Sequence, residues 1–276
     1  MKLIQITDLH LVAPGKTLFD SDPCERLRLC LGDVARCHAD ADLVVVTGDL
    51  AHNGEPAAYK FLSDALSAFP LPIRLLIGNH DDRVNFHACF PDAPLDEGGF
   101  VQSVIDSPVG RLMFLDTNES CTHEGRYCAR RRLWLARQCD DADGRPIYLF
   151  MHHPMGRIRY RPMDDLGLAD RDAFRAVVRG RDVRHIFAGH VHRPISGSWG
   201  GIPFSTLRGL NHQVWLDFSV AEGIPSSLEP PAYAIILIDD DDVIVHLHDF
   251  LDRSPKYLYQ PSLPESRQVT RIAPNR

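Results

Sequence analysis

No run of about 18 consecutive apolar residues occurs in this chain, so no membrane-spanning helix is encoded. Positive charge is also in short supply: 30 Lys and Arg stand against 37 Asp and Glu, a formal net charge of −7 over 276 residues. That balance argues against sequence-independent binding of a nucleic-acid polymer, which needs a surplus of Lys and Arg to neutralise phosphates. No internal repeat and no low-complexity segment is present, which sets aside repeat architectures.

Paired cysteines are missing too. Cys24, Cys30, Cys37, Cys89, Cys121, Cys128 and Cys139 are odd in number, form no C-x-x-C pair, and include three on one predicted helix at spacings that suit packing. A disulfide framework is thereby excluded, and free buried thiols point to a reducing cytoplasm. The amino-terminal Met-Lys-Leu-Ile-Gln-Ile-Thr-Asp reads as a first core strand rather than a cleaved leader. A cytoplasmic protein without membrane insertion is expected.

What is present is core material: 44% of residues are hydrophobic and 24% charged, enough for one large domain or a domain with a small appendage. The apolar runs at 43–46 and 75–77 are near-continuous, as in strands covered on both faces. Between them Ala58, Phe61, Leu62, Ala65, Leu66 and Phe69 recur at helical spacing. An earlier helix opens with Asp22 as N-cap, Pro23 at the first helical position and Glu25 at N3. Further helices are predicted over 129–139 and 173–179, with a hairpin joining 100–105 to 111–116 through Ser107-Pro108-Val109-Gly110.

After Gly189 the helical pattern stops. Strands are predicted over 194–199, 202–206, 214–218, 232–238 and 243–249, with Asp239 to Asp242 as an exposed turn. Residues 254–276 carry Pro255, Pro261, Pro264 and Pro274 without periodicity. The expected organisation is a core over 1–212, C-terminal strands over 213–253 that complete or extend it, and an irregular tail over 254–276. The strands and tail are suited to lie on a partner subunit in a homo-oligomer. Strand–helix alternation followed by strands implies two stacked sheets with helices outside.

Five short loops follow apolar runs at 3–6, 43–46, 73–77, 147–151 and 185–188. They read Asp8-Leu9-His10, Gly48-Asp49, Gly78-Asn79-His80-Asp81, His152-His153-Pro154 and Gly189-His190-Val191-His192. Carboxylate, imidazole and amide oxygens hold divalent transition metals without a closed thiolate cage. An isolated Asp-x-His or Gly-Asp is usually a turn. Paired imidazoles at the end of a buried strand have little structural reason to exist. A carboxylate can divide its two oxygens between two cations, and Asp49, central in the order of motifs, is the candidate bridge.

This order of motifs, D-x-H, G-D, G-N-H-D/E, H and G-H-x-H, resembles that of the calcineurin-like metallophosphoesterases. The resemblance implies an α/β fold, a four-layer α/β/β/α sandwich of two mixed sheets, and two divalent or trivalent ions (iron, manganese, cobalt or zinc). Carried over by motif, Asp8, His10 and His192 would bind the first ion, Asn79, His152 and His190 the second, with Asp49 between them. His80 would face the substrate phosphate. His212, in Leu210-Asn211-His212-Gln213, matches a second substrate-facing position. His153 is assigned a structural role, and His38, His87, His123, His185, His246 and His248 fall outside every motif. Protein phosphatases of the family place an acidic residue three positions after the bridging aspartate and an arginine next to it. Here His52 occupies the first position and no such arginine follows.

Within that family the nearest resemblance, over roughly residues 1–215, is to class III cyclic nucleotide phosphodiesterases and glycerophosphodiesterases. Its shared features are Gly48-Asp49-Leu50 with Gly54-Glu55-Pro56, Gly78-Asn79-His80-Asp81-Asp82, Met151-His152-His153-Pro154, and Ser205-Thr206 leading to His212. The expectation is hydrolysis of a small phosphodiester, first a 3′,5′-cyclic nucleotide and second a glycerophosphodiester. Phosphomonoesterase activity and a metal-free interaction scaffold are the rivals. Pocket walls are expected from 52–55, 117–127, 154–165 and 207–213, with Arg157, Arg159 and Arg161 either touching substrate or solvating a loop.

Overall fold

The computed structural model describes residues 1–272. In chain order its first half holds β1 (Lys2–Ile6), α1 (Pro23–Cys37), β2 (Leu43–Thr47), α2 (Pro56–Ser67), β3 (Ile73–Leu76), α3 (Arg83–Cys89), β4 (Ser103–Ser107), β5 (Gly110–Leu115) and α4 (Ala129–Asp140). There follow β6 (Ile147–Met151), α5 (Arg161–Asp164), α6 (Arg171–Val178), β7 (Val183–Ala188), β8 (Ile195–Trp199) and β9 (Ile202–Thr206). The rest is strand: β10 (Gln213–Val214), β11 (Ser226–Ser227), β12 (Tyr233–Ile238), β13 (Val243–His248), β14 (Lys256–Tyr259) and β15 (Val269–Ile272), with one 3-10 turn at Glu265–Arg267.

Two mixed sheets form, in the orders β13-β12-β1-β2-β3 and β4-β5-β6-β7-β9-β8. Period-2 alternation decides what each strand covers. In β2, Leu43 and Val45 point into the layer between the sheets, while Val44 and Val46 pack under α1 and α2. In β6, Tyr148 and Phe150 enter the same middle layer, where they meet Phe114 and Phe187. Ile147, Leu149 and Met151 face α4 and α6 on the far side. Strands buried on both faces explain the unbroken apolar runs, and the result is the α/β/β/α sandwich expected.

The helix starts follow local chemistry. Asp22 accepts hydrogen bonds from the Cys24 and Glu25 amides at 2.9 and 3.1 Å, capping α1 just before Pro23. Asp82 caps α3 through the Asn85 amide at 2.7 Å.

Two expectations are corrected. Residues 214–218 do not form a strand: only Gln213–Val214 pairs, with Ser226–Ser227, because Asp217 closes a turn on the Ser219 amide at 2.8 Å. The tail is not irregular throughout. The β-forming runs Lys-Tyr-Leu-Tyr and Val-Thr-Arg-Ile pair as the hairpin β14–β15, with Pro261 and Pro264 confined to its connection. Residues of both hairpin strands are exposed. Pro274 lies outside the described residues.

Candidate metal centre

The parallel strands β1, β2 and β3 end side by side, and the loops that leave them stay paired beyond the sheet. The Asp8 amide donates to Gly48 O at 3.1 Å, His10 to Asp49 O at 2.9 Å and Leu11 to Leu50 O at 3.0 Å. Asp81, given no role by the sequence reading beyond its motif, ties the loops after β2 and β3 together. Its carboxylate accepts from the amides of Leu50, Ala51 and Gly78 at 3.0, 2.9 and 2.8 Å and from the Tyr59 hydroxyl at 2.9 Å. Burial, and then the charge of Asp49, push its pKa up to about 6. Within the second sheet the loops after β6 and β7 are tied by the Gly189 amide, which donates to His152 O at 3.0 Å, and they join the first sheet through two bonds from the His190 amide to Asp8, at 3.0 and 3.2 Å.

All seven candidate ligands converge where these loops meet. Asp8, His10, Asp49, His152, His190 and His192 are buried, and Asn79 is partly so. Each oxygen of Asp49 faces a different imidazole: Oδ2 lies 3.5 Å from His10 Nε2, and Oδ1 lies 3.4 Å from His152 Nε2. Around the first oxygen gather Asp8 and His192, 3.3 Å apart, with His192 Nε2 at 3.1 Å from His10 Nε2. Near the second, Asn79 Oδ1 sits 3.1 Å from His152 Nε2. The His190 Nε2 atom is buried without a hydrogen-bond partner.

These contacts test whether the residues suit a cation. His152 Nδ1 lies 2.8 Å from Thr47 O and His192 Nδ1 lies 2.7 Å from His212 O. A carbonyl only accepts, so each Nδ1 carries a proton and each Nε2 points inward, as a lone pair if the ring is neutral and as N–H if it is charged. With both rings neutral the cluster would consist of acceptors facing acceptors. Burial opposes charge on His152, yet the Asp49 carboxylate overrides it and pushes the pKa up to about 9. His192 is likewise raised: burial opposes, and Asp8 prevails. Asp49 is held well below the carboxylate range, burial being outweighed by His152 and His10. A site that retains protons this tightly between carboxylates is built for positive charge, and the donor set fits a divalent ion.

The backbone bears the cost of this arrangement. Asp8, His10, Asp49, His190 and His192 have φ of 52°, 45°, 50°, 69° and 48°, a region that side-chain-bearing residues rarely adopt. Gly78 is required for a different reason: a Cβ there would lie 2.2 Å from Asp49 Oδ1 and 2.6 Å from His152 Nε2.

A cavity of about 310 Å³ opens over the cluster. His80 and His212 both line it, as the motifs implied. The acidic partner that His80 lacks is replaced by backbone: its Nδ1 donates to His52 O at 2.7 Å, and the two rings stack at 5.0 Å. Burial, followed by the charge of His192, pushes the pKa of His212 down to about 3. His153, assigned a structural role by the sequence reading, has its Nδ1 2.8 Å from Thr117 Oγ1, while its buried Nε2 has no hydrogen-bond partner and its ring lies beside His152 and His190.

Three lining residues were given no individual role by sequence reasoning. His52 was noted as a departure from motif inside the expected wall at 52–55. His123 was placed outside every motif but inside the expected wall at 117–127, and it lines the cavity and contacts Asn79. Phe19 lines it as well, its ring 4.5 Å from that of His212. Of the loop at 154–165 it is Met163 that reaches the cavity; Arg157, Arg159 and Arg161 do not line it.

A four-layer sandwich whose strand-end loops converge on buried carboxylates and imidazoles defines a metal-dependent hydrolase scaffold. Residues 1–194 match the family model for calcineurin-like phosphoesterases, and the chain belongs to that family. A protein named as a probable cyclic nucleotide phosphodiesterase, from Rhodopseudomonas palustris, is 42% identical over 99% of this chain and 100% of its own length. A protein named as a probable glycerophosphodiester phosphodiesterase, from Arcobacter nitrofigilis, is 28% identical over 84% of this chain and 86% of its own. Among solved structures, a purple acid phosphatase from yellow lupin seeds superposes with a TM-score of 0.64 at 13% identity, over 92% of this chain and 52% of that one. That last likeness concerns the fold. No helix among the described residues is long and apolar enough to cross a membrane.

Proposed function

We propose that the chain is a phosphodiesterase with two metal ions that hydrolyses a small phosphodiester, in the first place a 3′,5′-cyclic nucleotide. The observation that carries this reading is the division of Asp49, one oxygen toward His10 and the other toward His152. Asp8, His10 and His192 would hold one ion on the first side; Asn79, His152 and His190 would hold another on the second. Iron, manganese, cobalt or zinc suits such oxygen and nitrogen donors. Bound ions would supply Lewis acidity toward the phosphoryl oxygens and lower the pKa of a water nucleophile.

The chain's own groups do the rest. His80, oriented through its Nδ1–H by His52 O, directs its other nitrogen to the cavity, where as an imidazolium it can pass the Nε2 proton to the departing oxygen and be left as the neutral Nδ1–H ring. His212 stays neutral at physiological pH and can share a hydrogen bond with a phosphoryl oxygen. Phe19, Met163, Leu166, Val214 and Ile224 form an apolar wall suited to a nucleobase. A volume of about 310 Å³ is near the lower end of ligand pockets, which suits a mononucleotide and not a polymer.

Charge supports a diester. Among the described residues no Arg or Lys lines the cavity, so a dianionic monoester would lack the guanidinium partners that phosphate recognition favours. Two aspartates against two divalent ions leave enough positive charge for a monoanion. The relative from R. palustris supports a cyclic nucleotide, and the one from A. nitrofigilis supports glycerophosphodiesters as the second reading. The test is kcat/KM for 3′,5′-cyclic AMP, bis(p-nitrophenyl) phosphate and p-nitrophenyl phosphate under one metal condition. The two nitrophenyl esters share a leaving group, so their ratio reports charge preference. The diester should be favoured; a tenfold monoester advantage, about 1.4 kcal/mol in the transition state, would move the chain to the phosphatases.

A further inference from the structure

The loop at 117–127 is held at both ends, at its root by the turn that carries Asn79 and at its far end by the segment at 167–169. At its root, the Asn118 side-chain amide donates to Gly78 O and to Asp81 O, the latter at 3.1 Å, so it grips the turn that carries Asn79. At its far end the Gly125 amide donates to Gly167 O at 3.2 Å and the Ala169 amide to Gly125 O at 2.8 Å. Gly125 lies so close to His153 that a Cβ would sit 2.4 Å from the ring. Between these anchors His123 reaches back over the site. Its Nδ1 lies 3.0 Å from Asn79 Nδ2, and its ring lies 5.3 Å from that of His80.

An asparagine amide is ambiguous as a metal ligand, because a half-turn about its last bond swaps oxygen for nitrogen. Only Oδ1 can bind a cation, and here Oδ1 faces His152 Nε2 at 3.1 Å. The amino group only donates, so the 3.0 Å contact makes His123 Nδ1 the acceptor. A flipped amide would place oxygen against that lone pair. We propose that His123 is a positioning residue for Asn79, locking its carboxamide oxygen toward the second cation and tying occupancy there to the 117–127 loop. With Nδ1 accepting, the neutral ring carries its proton on Nε2. The proposal rests on the two-ion reading.

Metal uptake tests it without recourse to turnover. Metal-stripped wild-type protein is titrated with Mn(II), and the unbound ion is followed by electron paramagnetic resonance. Two classes of site are expected. His123→Ala should weaken one class at least tenfold, the lower bound for losing an outer-shell partner, and leave the other unchanged. His123→Gln, whose carbonyl can accept from Asn79, should restore the weakened class to within about threefold of wild type. An alanine isotherm that superposes on wild type, equal weakening of both classes, or no rescue by glutamine would each overturn the proposal. If the wild-type chain itself showed fewer than two classes, the two-ion reading would fail and the proposal with it.

Discussion

Asp8, His10, Asp49, His190 and His192 hold left-handed backbone conformations that cost of the order of 1–3 kcal/mol each. Turns impose the same conformation singly, as at Asp20 and Asp143, but here five such residues face one another across one cluster, which is what a binding site imposes. His80 differs from them: its side chain touches the cavity and not the cluster's carboxylates, and its orientation comes from His52 O. His80→Ala should therefore lower kcat by about a hundredfold or more, the usual share of a general acid, while metal content stays at wild type. His192→Ala should lower metal content directly. Elemental analysis finding a depleted His80→Ala beside a fully loaded His192→Ala would reverse those roles. The candidate ligands were legible as a converging cluster because each sits within a few residues of an apolar run, in a short motif. For His52 and His123 only the wall segments were anticipated and not the side chains, and Phe19 lay outside every expected wall, since each reaches the cavity by a tertiary contact no local spacing encodes. The oxygen that orients His80 belongs to the backbone, so the residue type at position 52 could not disclose it.

The longer helices and the buried strands follow from periodicity, and the sequence places them within a few residues. Short elements escaped: α3 and α5 are too brief to show a stripe, and β14–β15 was hidden by prolines, of which Pro255 precedes β14 and Pro261 and Pro264 lie between the strands. Strand β7 carries a testable burden of its own. His185 is 8% exposed, stacks on Phe187 at 4.3 Å, and places Nε2 2.9 Å from Ser205 Oγ on β9. Burial pushes its pKa down from 6.5 to about 4. The unfolded chain thus takes up a proton below pH 6.5 that the folded strand refuses until about pH 4. Stability from this group is complete above 6.5 and lost as pH falls through that window, by about 3 kcal/mol in all at 1.36 kcal/mol per unit. Urea unfolding of wild type and His185→Gln between pH 7 and 4.5 should show the variant less sensitive to acid. Parallel profiles would mean that His185 titrates alike in both states.

At the scale of the whole molecule, function comes from stacking. One sheet supplies Asp8, His10, Asp49 and Asn79 from its strand ends; the other supplies His152, His190 and His192. Neither half of the sandwich holds all seven candidate ligands, so the apolar layer of Phe114, Phe150 and Phe187 with Leu3, Val45 and Ile236 is also what brings the two candidate groups within reach. The acidic chain would be no obstacle to an anionic substrate, because ions bound at the cluster would dominate the local field. The central claim is that Asp49 stands between two cations. Crystals of the protein loaded with manganese, measured at the metal's absorption edge, would test it most directly. Two anomalous peaks about 3.5–4 Å apart are predicted. One should be bounded by Asp8, His10 and His192 on the Oδ2 side of Asp49, the other by Asn79, His152 and His190 on the Oδ1 side. A single peak, or a pair that leaves Asp49 outside the shared position, would contradict the account.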